Sequence, residues 1–294
     1  MSPIDSRRPL AYEATERLAG VAALDPPADA IAGVVRKALP SGTVKDALSG
    51  SWLGHALHPL LTDVPIGMWT SALTLDWVGG KDAREAADRL ILLGLGAAVP
   101  TLASGWSDWT DSFAGNDAVK RVGLVHAASN ATGVALFAGS YVARKRGSRG
   151  LGKLLALAAG SAMGAGGFLG GHLSYAEGVG VDTTTFEHPG PDWHDAIEAS
   201  ALAEGAPQLA DVDGVPVMLV RDGGEVFALS DRCAHRGGPL HEGRIEDGCV
   251  HCPLHDSVFR LRDGSLVHGP SAYPQPAWET RERAGRIEVR PLPE

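Results

Sequence analysis

The sequence of 294 residues has few cysteines, no basic patch and no signal-like start. It has only three cysteines, its net charge is −9, and no patch of lysine and arginine is interleaved with aromatic residues. An acidic chain of this kind is not expected to bind nucleic acid. The segment Met1–Leu10 is polar and no apolar run follows it, so a secretory signal is not expected either.

The mean hydropathy of −0.01 is that of a soluble protein, but it averages over two different parts. Residues 58–175 are rich in alanine, glycine and leucine, whereas the remainder is polar and acidic. A chain of this length is expected to form two domains. We therefore treat the apolar middle and the polar C-terminal part as separate domains.

Two of the three cysteines stand in a pattern with two histidines near the C-terminus. Cys233 and His235 form C-x-H, and after a gap of sixteen residues Cys252 and His255 form C-x-x-H. Such a set can hold a [2Fe-2S] cluster, with both cysteines on one iron and both histidines on the other. It can also hold zinc, but zinc fingers usually pair cysteine with cysteine and histidine with histidine. The pattern thus favours an iron–sulfur cluster with a reduction potential above that of an all-cysteine ferredoxin.

The residues around this pattern resemble the Rieske iron–sulfur domain over roughly residues 200–294. The first loop reads Cys-Ala-His-Arg-Gly-Gly-Pro-Leu over 233–240, and the second reads Cys-Pro-Leu-His-Asp-Ser-Val-Phe over 252–259. The resemblance implies a small all-β domain in which the two cysteines and two histidines are the cluster ligands. It also implies electron transfer as the activity.

Several neighbouring positions acquire an expected role from the same resemblance. Ser257 takes the place of a hydroxyl that donates to a cluster sulfur and raises the potential, and Pro270 lies near the cluster. Asp256 stands where the family usually has glycine, which departs from the usual loop geometry. Gly238 and Leu254 stand where respiratory Rieske domains carry a disulfide. The domain therefore resembles the ferredoxin and oxygenase type.

Local sequence patterns for a hairpin and for turns also indicate a β domain. Apolar runs at 216–220 and 225–229 flank Asp-Gly-Gly at 222–224, which predicts a β-hairpin. Further turns are expected at 262–264 and 284–285. Cys249, the third cysteine, is expected to be a small buried residue without a role in the cluster.

The apolar middle contains four segments long enough to cross a membrane. We place them at about 58–79, 90–109, 122–142 and 151–175, and a span needs about 20 residues. Glycines four residues apart would let such helices approach closely. We predict an all-α four-helix transmembrane bundle, in a multi-pass protein of the cell membrane, rather than a soluble bundle with an alanine- and glycine-rich core.

The same region, about residues 50–185, also resembles the domain-of-unknown-function 2231 family of four-helix membrane proteins. The matching residues are 55–61, 64–67, 170–175 and 178–181. This resemblance implies an architecture and no chemistry.

Spans of alternating direction place four histidines at one leaflet, namely His55, His58, His126 and His172. Ionisable residues at membrane depth are costly and point first to function. Two of them could ligate a b-type haem, they could relay protons to a quinone, or they could bind zinc or copper. The alternative is that they only cap helices and form hydrogen bonds. His126 and His172 are the sharpest pair, because each lies inside an apolar span.

These observations divide the chain into four regions. We expect a soluble helical N-terminal segment over 1–50, a four-span domain over 51–178, a linker over 179–199 and the Rieske domain over 200–294. Basic residues after the first and third spans place both termini outside the cytoplasm by the positive-inside rule. Cytoplasmic assembly of the cluster and a basic N-terminal tail favour the opposite orientation, and we take the Rieske domain to be cytoplasmic.

The expected function is that of a membrane-anchored carrier of single electrons between a membrane or soluble donor and a partner oxidoreductase. A complete oxygenase is not expected, because it needs a second iron in a further domain, and only about forty residues follow His255. The alternatives are a quinol- or haem-linked membrane oxidoreductase that uses the span histidines, and a redox sensor on a passive anchor. The expected partners are the bilayer and a redox protein or quinone.

Overall fold

In a computed structural model of the chain, the structure describes residues 9–112 and 116–292. The chain divides into two compact units. The first, here the helical unit, comprises Met1–Ala38 and His58–Val179. The second, here the β unit, comprises Leu39–Leu57 and Gly180–Glu294. The polar start of the chain, up to residue 8, lies outside the described residues.

Seven α-helices precede the β-strands within the described residues. They are α1 (Leu10–Ala19), α2 (Asp25–Ala38), α3 (Thr43–Ser49), α4 (Leu57–Val78), α5 (Arg84–Ser112), α6 (Asp117–Lys145) and α7 (Arg149–Tyr175).

The prediction of a four-helix transmembrane bundle is confirmed only in its helical character. Helices α4 to α7 coincide with the four predicted spans, but only α5, α6 and α7 are each long and apolar enough to cross a membrane. Helix α4 has 22 residues, and Asp63, Asp76 and several threonines reduce its hydropathy. Helices α1 and α2 form a pair bent by 59° that is apolar and long enough only when taken together. The count of four simple spans is therefore corrected to three, or four with the bent pair.

Small residues allow these helices to pack around a few large side chains. The Trp69 ring stacks on Phe137 with centroids 4.5 Å apart, and its Nε1 donates to the carbonyl of Ile91 at 3.2 Å. A Cβ at Gly94 would lie only 2.4 Å from that nitrogen, so glycine is required there. Helices α4 and α5 can therefore pack this closely only because the residue at position 94 has no side chain.

A buried ion network joins the helices at one end of the helical unit. The Arg144 side chain is fully buried and pairs with Asp76, whose side chain is 1% exposed, and with Asp88 at 3.2 Å. Arg149 Nη1 adds a contact of 3.0 Å to Asp88. The buried carboxylate of Asp76 is therefore compensated by a guanidinium, as a charge in an apolar environment must be.

The β unit contains ten strands in two antiparallel sheets. The strands are β1 (His194–Glu198), β2 (Gln208–Val212), β3 (Val215–Asp222), β4 (Glu225–Ser230), β5 (Arg244–Glu246), β6 (Cys249–His251), β7 (Val258–Arg260), β8 (Leu266–His268), β9 (Ala277–Arg283) and β10 (Arg286–Pro291). The order is β1-β10-β9-β4-β3-β2 in the larger sheet and β5-β6-β7-β8 in the smaller.

Alternation along β3 shows how the larger sheet buries both faces. Val217 and Leu219 pack into one apolar cluster, while Met218 and Val220 pack into another that also contains Cys233 and residues of the smaller sheet. Successive side chains of a strand point to opposite faces, so one short strand contributes to two cores. The second core supports the loops that carry the candidate ligands.

The predicted hairpin is confirmed. Strands β3 and β4 pair in antiparallel register, with Asp222 opposite Glu225. Gly223 and Gly224 connect them with φ of 62° and 83°, the left-handed values that a tight two-residue hairpin turn requires. The turn at 284–285 joins β9 to β10 in the same way, with φ of 51° and 79°.

Candidate metal centre

Two loops of the β unit bring the four predicted ligands together. The first follows β4 and carries Cys233 and His235, and the second joins β6 to β7 and carries Cys252 and His255. Both loops are closed by their own backbone at the cysteine. The Cys233 carbonyl accepts from the amide of Gly237 at 2.8 Å, and the Cys252 carbonyl accepts from the amide of Asp256 at 3.0 Å.

The ligand side chains differ in their access to solvent. Cys233 and Cys252 are 1% and 4% exposed, and their thiols lie close enough to shift each other's pKa. The rings of His235 and His255 lie edge to face, with centroids 5.2 Å apart, and both residues are half-buried. The thiols therefore lie in the core, while the imidazoles form the part of the site nearest to solvent.

The electrostatics of the site suit ligands that must be deprotonated. The pKa of Cys252 is lowered to about 7, chiefly because the neighbouring Cys233 thiol stabilises its thiolate, and the same pairing raises the pKa of the Cys233 thiol. Burial holds the pKa of His235 well below the ordinary value, so this imidazole is neutral at pH 7. Its buried Nδ1 has no hydrogen-bond partner among the described residues. A buried imidazole nitrogen without a hydrogen-bond partner, in the same site as two free thiols, fits a [2Fe-2S] cluster. An iron of the cluster would supply the missing bond to that nitrogen.

Gln275 holds the first loop, and sequence reasoning did not find it. Its side chain is 1% exposed. The amide nitrogen donates to the carbonyls of Ser230 and Arg232 at 2.7 and 2.8 Å, and the amide oxygen accepts from Ala234 N at 2.9 Å. A glutamine between two prolines carries no sequence signal for this role, because its partners lie more than forty residues away.

The departure at Asp256 does not change the course of the second loop. Asp256 has φ of 62°, the left-handed region that glycine would adopt freely. Aspartate tolerates this region better than most residues, and its carboxylate accepts from Arg244 Nη1 at 3.1 Å. The loop therefore has a glycine-like conformation without glycine.

The two residues predicted to lie next to the cluster are placed beside the second loop. Ser257 is fully buried, and its Oγ accepts from the amide of Ser271 at 3.0 Å. This leaves the hydroxyl proton available as a donor. Pro270 is buried and directly precedes Ser271, after a cis peptide bond. Their action on a cluster stays a prediction.

The structure also places Gly238 and Leu254, which stand where respiratory Rieske domains carry a disulfide, and the third cysteine, Cys249. A Cβ at Gly238 would lie 3.0 Å from Leu254 Cγ and 2.8 Å from Cys252 Sγ, so positions 238 and 254 face each other beside the ligands. Cys249 is buried in β6 and its Sγ lies 3.7 Å from the Asp247 carbonyl. Burial raises the pKa of this thiol.

Two segments outside the predicted Rieske domain of 200–294 belong to the β unit and contact its loops. Thr183 of the predicted linker donates from Oγ1 to the Cys233 carbonyl at 2.8 Å. In the segment 39–57, Asp46 pairs with His268 at 2.8 Å, and Ser51 donates to the Ser271 carbonyl at 2.8 Å. The sequence gives no sign of these contacts, because they join residues up to 222 positions apart.

The four predicted span histidines have separate surroundings. His55 belongs to the β unit, is exposed, and its Nδ1 lies 2.9 Å from the Ala56 carbonyl. His58 Nδ1 lies 3.0 Å from the Thr101 carbonyl, and His126 Nδ1 lies 2.7 Å from the Gly166 carbonyl. His58 and His126 are within electrostatic reach of each other. His172 instead lies next to Glu177.

Fold, loops and ligand set together define a class of protein, the mixed thiolate–imidazole iron–sulfur proteins. Comparison with known families agrees: residues 192–279 match the Rieske [2Fe-2S] domain, and residues 54–183 match the predicted membrane protein family DUF2231. The chain belongs to the Rieske [2Fe-2S] family, and its helical region is similar to the DUF2231 family. The haem considered for the span histidines has no support in these comparisons.

Individual relatives cover the C-terminal third of the chain. The anthranilate 1,2-dioxygenase ferredoxin subunit of Burkholderia cepacia is 34% identical over 98 residues, which are 33% of this chain and 91% of that protein. Apoptosis-inducing factor 3 of Homo sapiens is 35% identical over 88 residues, 28% of this chain but only 14% of that protein. Among solved structures, the ferredoxin of carbazole 1,9a-dioxygenase from Nocardioides aromaticivorans is 33% identical, with 33% of this chain and 96% of that one covered and a TM-score of 0.32.

Proposed function

We propose that this protein is a membrane-anchored carrier of single electrons, and that its partner is an oxidoreductase. The observation that carries the proposal is the pair of closed loops that presents two buried, neighbouring thiols and two half-buried imidazoles. A [2Fe-2S] cluster held there supplies one-electron oxidation and reduction. The ferredoxin subunits of dioxygenases among the relatives support a partner of the oxygenase type.

The residues of the chain have distinct tasks in this proposal. Cys233 and Cys252 hold one iron inside the core, where solvent cannot reach the thiolates. His235 and His255 hold the other iron and reach the surface, so they form the exit for the electron. The helical unit anchors the chain in the bilayer through α5, α6 and α7, and α4 and the bent pair are candidates for further spans.

The decisive experiment measures iron, sulfide and EPR on the purified full chain in detergent. We expect two irons and two sulfides per chain and an EPR signal that appears on reduction. His255→Ala and Cys252→Ala should abolish the signal, whereas Cys249→Ala is a matched control that should keep it. A colourless protein with one zinc ion per chain would refute the proposal.

A second candidate function makes the helical unit a redox domain linked to haem or quinone. It is favoured by His58 and His126, whose Nδ1 atoms face backbone carbonyls. A carbonyl only accepts, so Nδ1 carries the proton in both rings and Nε2 is the acceptor. Nε2 of His126 lies 3.2 Å from Asn130 Nδ2, which can donate to it, whereas among the described residues no hydrogen bond reaches Nε2 of His58. A Soret band that disappears in His126→Ala would support haem. If quinol still reduces the cluster after both His126 and His172 are replaced, the spans serve only as an anchor.

A further inference from the structure

We propose that Glu16, His172 and Glu177 form a binding site for a divalent transition-metal ion in the helical unit, separate from the Rieske ligands. One ligand atom from each of these residues lies within 4.8 Å of the other two. An imidazole and two carboxylates are donors that zinc, manganese and iron(II) accept. No part of the Rieske assignment depends on this site.

The geometry between His172 and Glu177 is that of two ligands rather than of a hydrogen-bonded pair. His172 Nε2 lies 3.7 Å from Glu177 Oε1, which is too long for a hydrogen bond. Two donors that share one ion at about 2.1 Å lie about 3.0–3.5 Å apart, so a small rotation brings both into range. The other carboxylate oxygen of Glu177 accepts from Asn116 Nδ2 at 3.5 Å, which leaves Oε1 facing the imidazole.

Burial makes the histidine a directed ligand and not a mobile surface group. The side chain of His172 is 5% exposed and that of Glu177 is 23% exposed. The Tyr12 ring packs against the imidazole with centroids 5.5 Å apart. A buried imidazole aimed at two carboxylates at distances beyond hydrogen bonding is a costly arrangement without an ion between them.

The backbone brings these three residues together from distant parts of the sequence. Helix α7 ends at Tyr175, and the amide of Glu177 donates back to the His172 carbonyl at 3.2 Å, so Glu177 folds over the histidine. Glu16 lies on α1, whose Leu18 and Ala19 pack against an apolar cluster that contains Leu169 and Leu173 of α7. The histidine therefore lies in a packed core, while Glu16 is exposed on α1 and Glu177 lies in the bend that follows α7.

Charge also favours a cation here. Within the described residues, no lysine or arginine forms an ion pair with Glu16 or Glu177, although other acidic residues of this unit are paired in this way. A divalent ion brings two positive charges, which balance those of two carboxylate ligands, and a metal-bound imidazole adds no charge. Three protein ligands also leave one coordination position open to water.

The test uses the holoprotein in detergent, dialysed against buffered free Zn²⁺, with zinc and iron counted separately. We expect one zinc per chain in addition to the cluster iron. Glu16→Gln, Glu177→Gln and His172→Gln should each weaken zinc binding by more than about tenfold, which is the lower range for loss of an outer-sphere partner. Glu13→Gln, which removes the same charge from the same helix, should bind zinc like the parent.

Two further readouts keep the outcome unambiguous. Unchanged iron content and EPR show that the β unit is intact, and an unchanged thermal unfolding midpoint in detergent shows that the helical unit is intact, so a loss of zinc in such a variant reports the site alone. X-ray absorption at the zinc edge should show nitrogen and oxygen ligands at about 2.0–2.1 Å and no sulfur. The proposal is overturned if the parent binds no zinc at micromolar concentration, if the Glu16 and Glu177 variants bind as tightly, or if sulfur ligands appear.

Discussion

At the scale of single residues, the second ligand loop contains a buried polar group, Ser257, two positions after His255. Its Oγ accepts from the Ser271 amide and keeps its own proton to donate. We expect Ser257→Ala to lower the reduction potential by tens of millivolts, since a donor to a cluster sulfur stabilises the reduced, more negative state. An EPR-monitored redox titration measures this, with Ser265→Ala as the control, and an unchanged potential would contradict it.

Glu187 gives a residue-scale prediction about pH. Burial raises the pKa of this carboxyl above the ordinary 4.5, although Arg232 lies 3.6 Å from it. Because the pKa is higher in the folded state, ionisation destabilises the fold as the pH rises through the folded pKa. Asp182 and Asp231 act in the same direction as burial.

Glu187→Gln should therefore stabilise the β unit at pH 7 and have little effect below pH 4.5, where the carboxyl is protonated in both states. Thermal loss of the cluster absorbance at the two pH values measures this difference. Glu225→Gln, at an exposed hairpin position, should show no such dependence. Equal effects of Glu187→Gln at both pH values would rule out the ionisation argument.

At the scale of elements, the position of the first cluster loop depends on one side chain of a distant segment. Gln275→Leu would orphan two carbonyls and one amide that are now hydrogen-bonded. We expect a loss of about 3 kcal/mol or more in stability of the β unit, since three groups are orphaned and each orphaned buried group costs about 1–3 kcal/mol. Denaturant unfolding followed by cluster absorbance is the measurement. The same change at exposed Gln208 should cost far less, and similar values at both positions would refute the argument.

The helices of the other unit make a comparable prediction through Asp76. Its carboxylate pairs with Arg144, and both side chains are at most 1% exposed. Asp76→Asn leaves a buried guanidinium without its main partner and should destabilise the helical unit by about 3–5 kcal/mol. Thermal unfolding in detergent measures this.

The double variant Asp76→Asn, Arg144→Gln should recover part of the loss, because it removes both charges together. Asp63→Asn is the matched control, since Asp63 lies on the same helix and is exposed. If Asp63→Asn costs as much as Asp76→Asn, the buried pair is not the cause.

At the scale of the whole molecule, the question is how the chain crosses the bilayer. If α4 spans, Leu53 and Asp82 lie on opposite sides, and Asp82 and Arg146 lie on the same side. The expected labelling assumes that the Rieske domain is cytoplasmic. An impermeant maleimide should then label Leu53→Cys only after cell lysis, whereas it should label Asp82→Cys and Arg146→Cys in intact cells. The Cys249→Ala background removes the thiol that is not a ligand. Labelling of Leu53→Cys and Asp82→Cys from the same side would exclude α4 as a span.

The sequence by itself determined the candidate ligand set, the β-hairpin and the helical character of the apolar middle. These are local properties: the spacing of cysteine and histidine, Asp-Gly between apolar runs, and long segments without charge. The number of spans was less certain from sequence, because α4 combines a helical pattern with the polarity of Asp63 and Asp76.

Only the tertiary structure decided which distant residues meet. Gln275 and Thr183 bind the first cluster loop, Asp46 binds His268, and Glu16 lies near His172 across more than 150 residues. Each of these contacts joins residues far apart in the sequence, and a local sequence pattern does not predict which distant residues will come into contact. Hydrogen bonds and ion pairs of buried groups must nevertheless be satisfied somewhere, and in this protein the satisfying partner usually comes from another element.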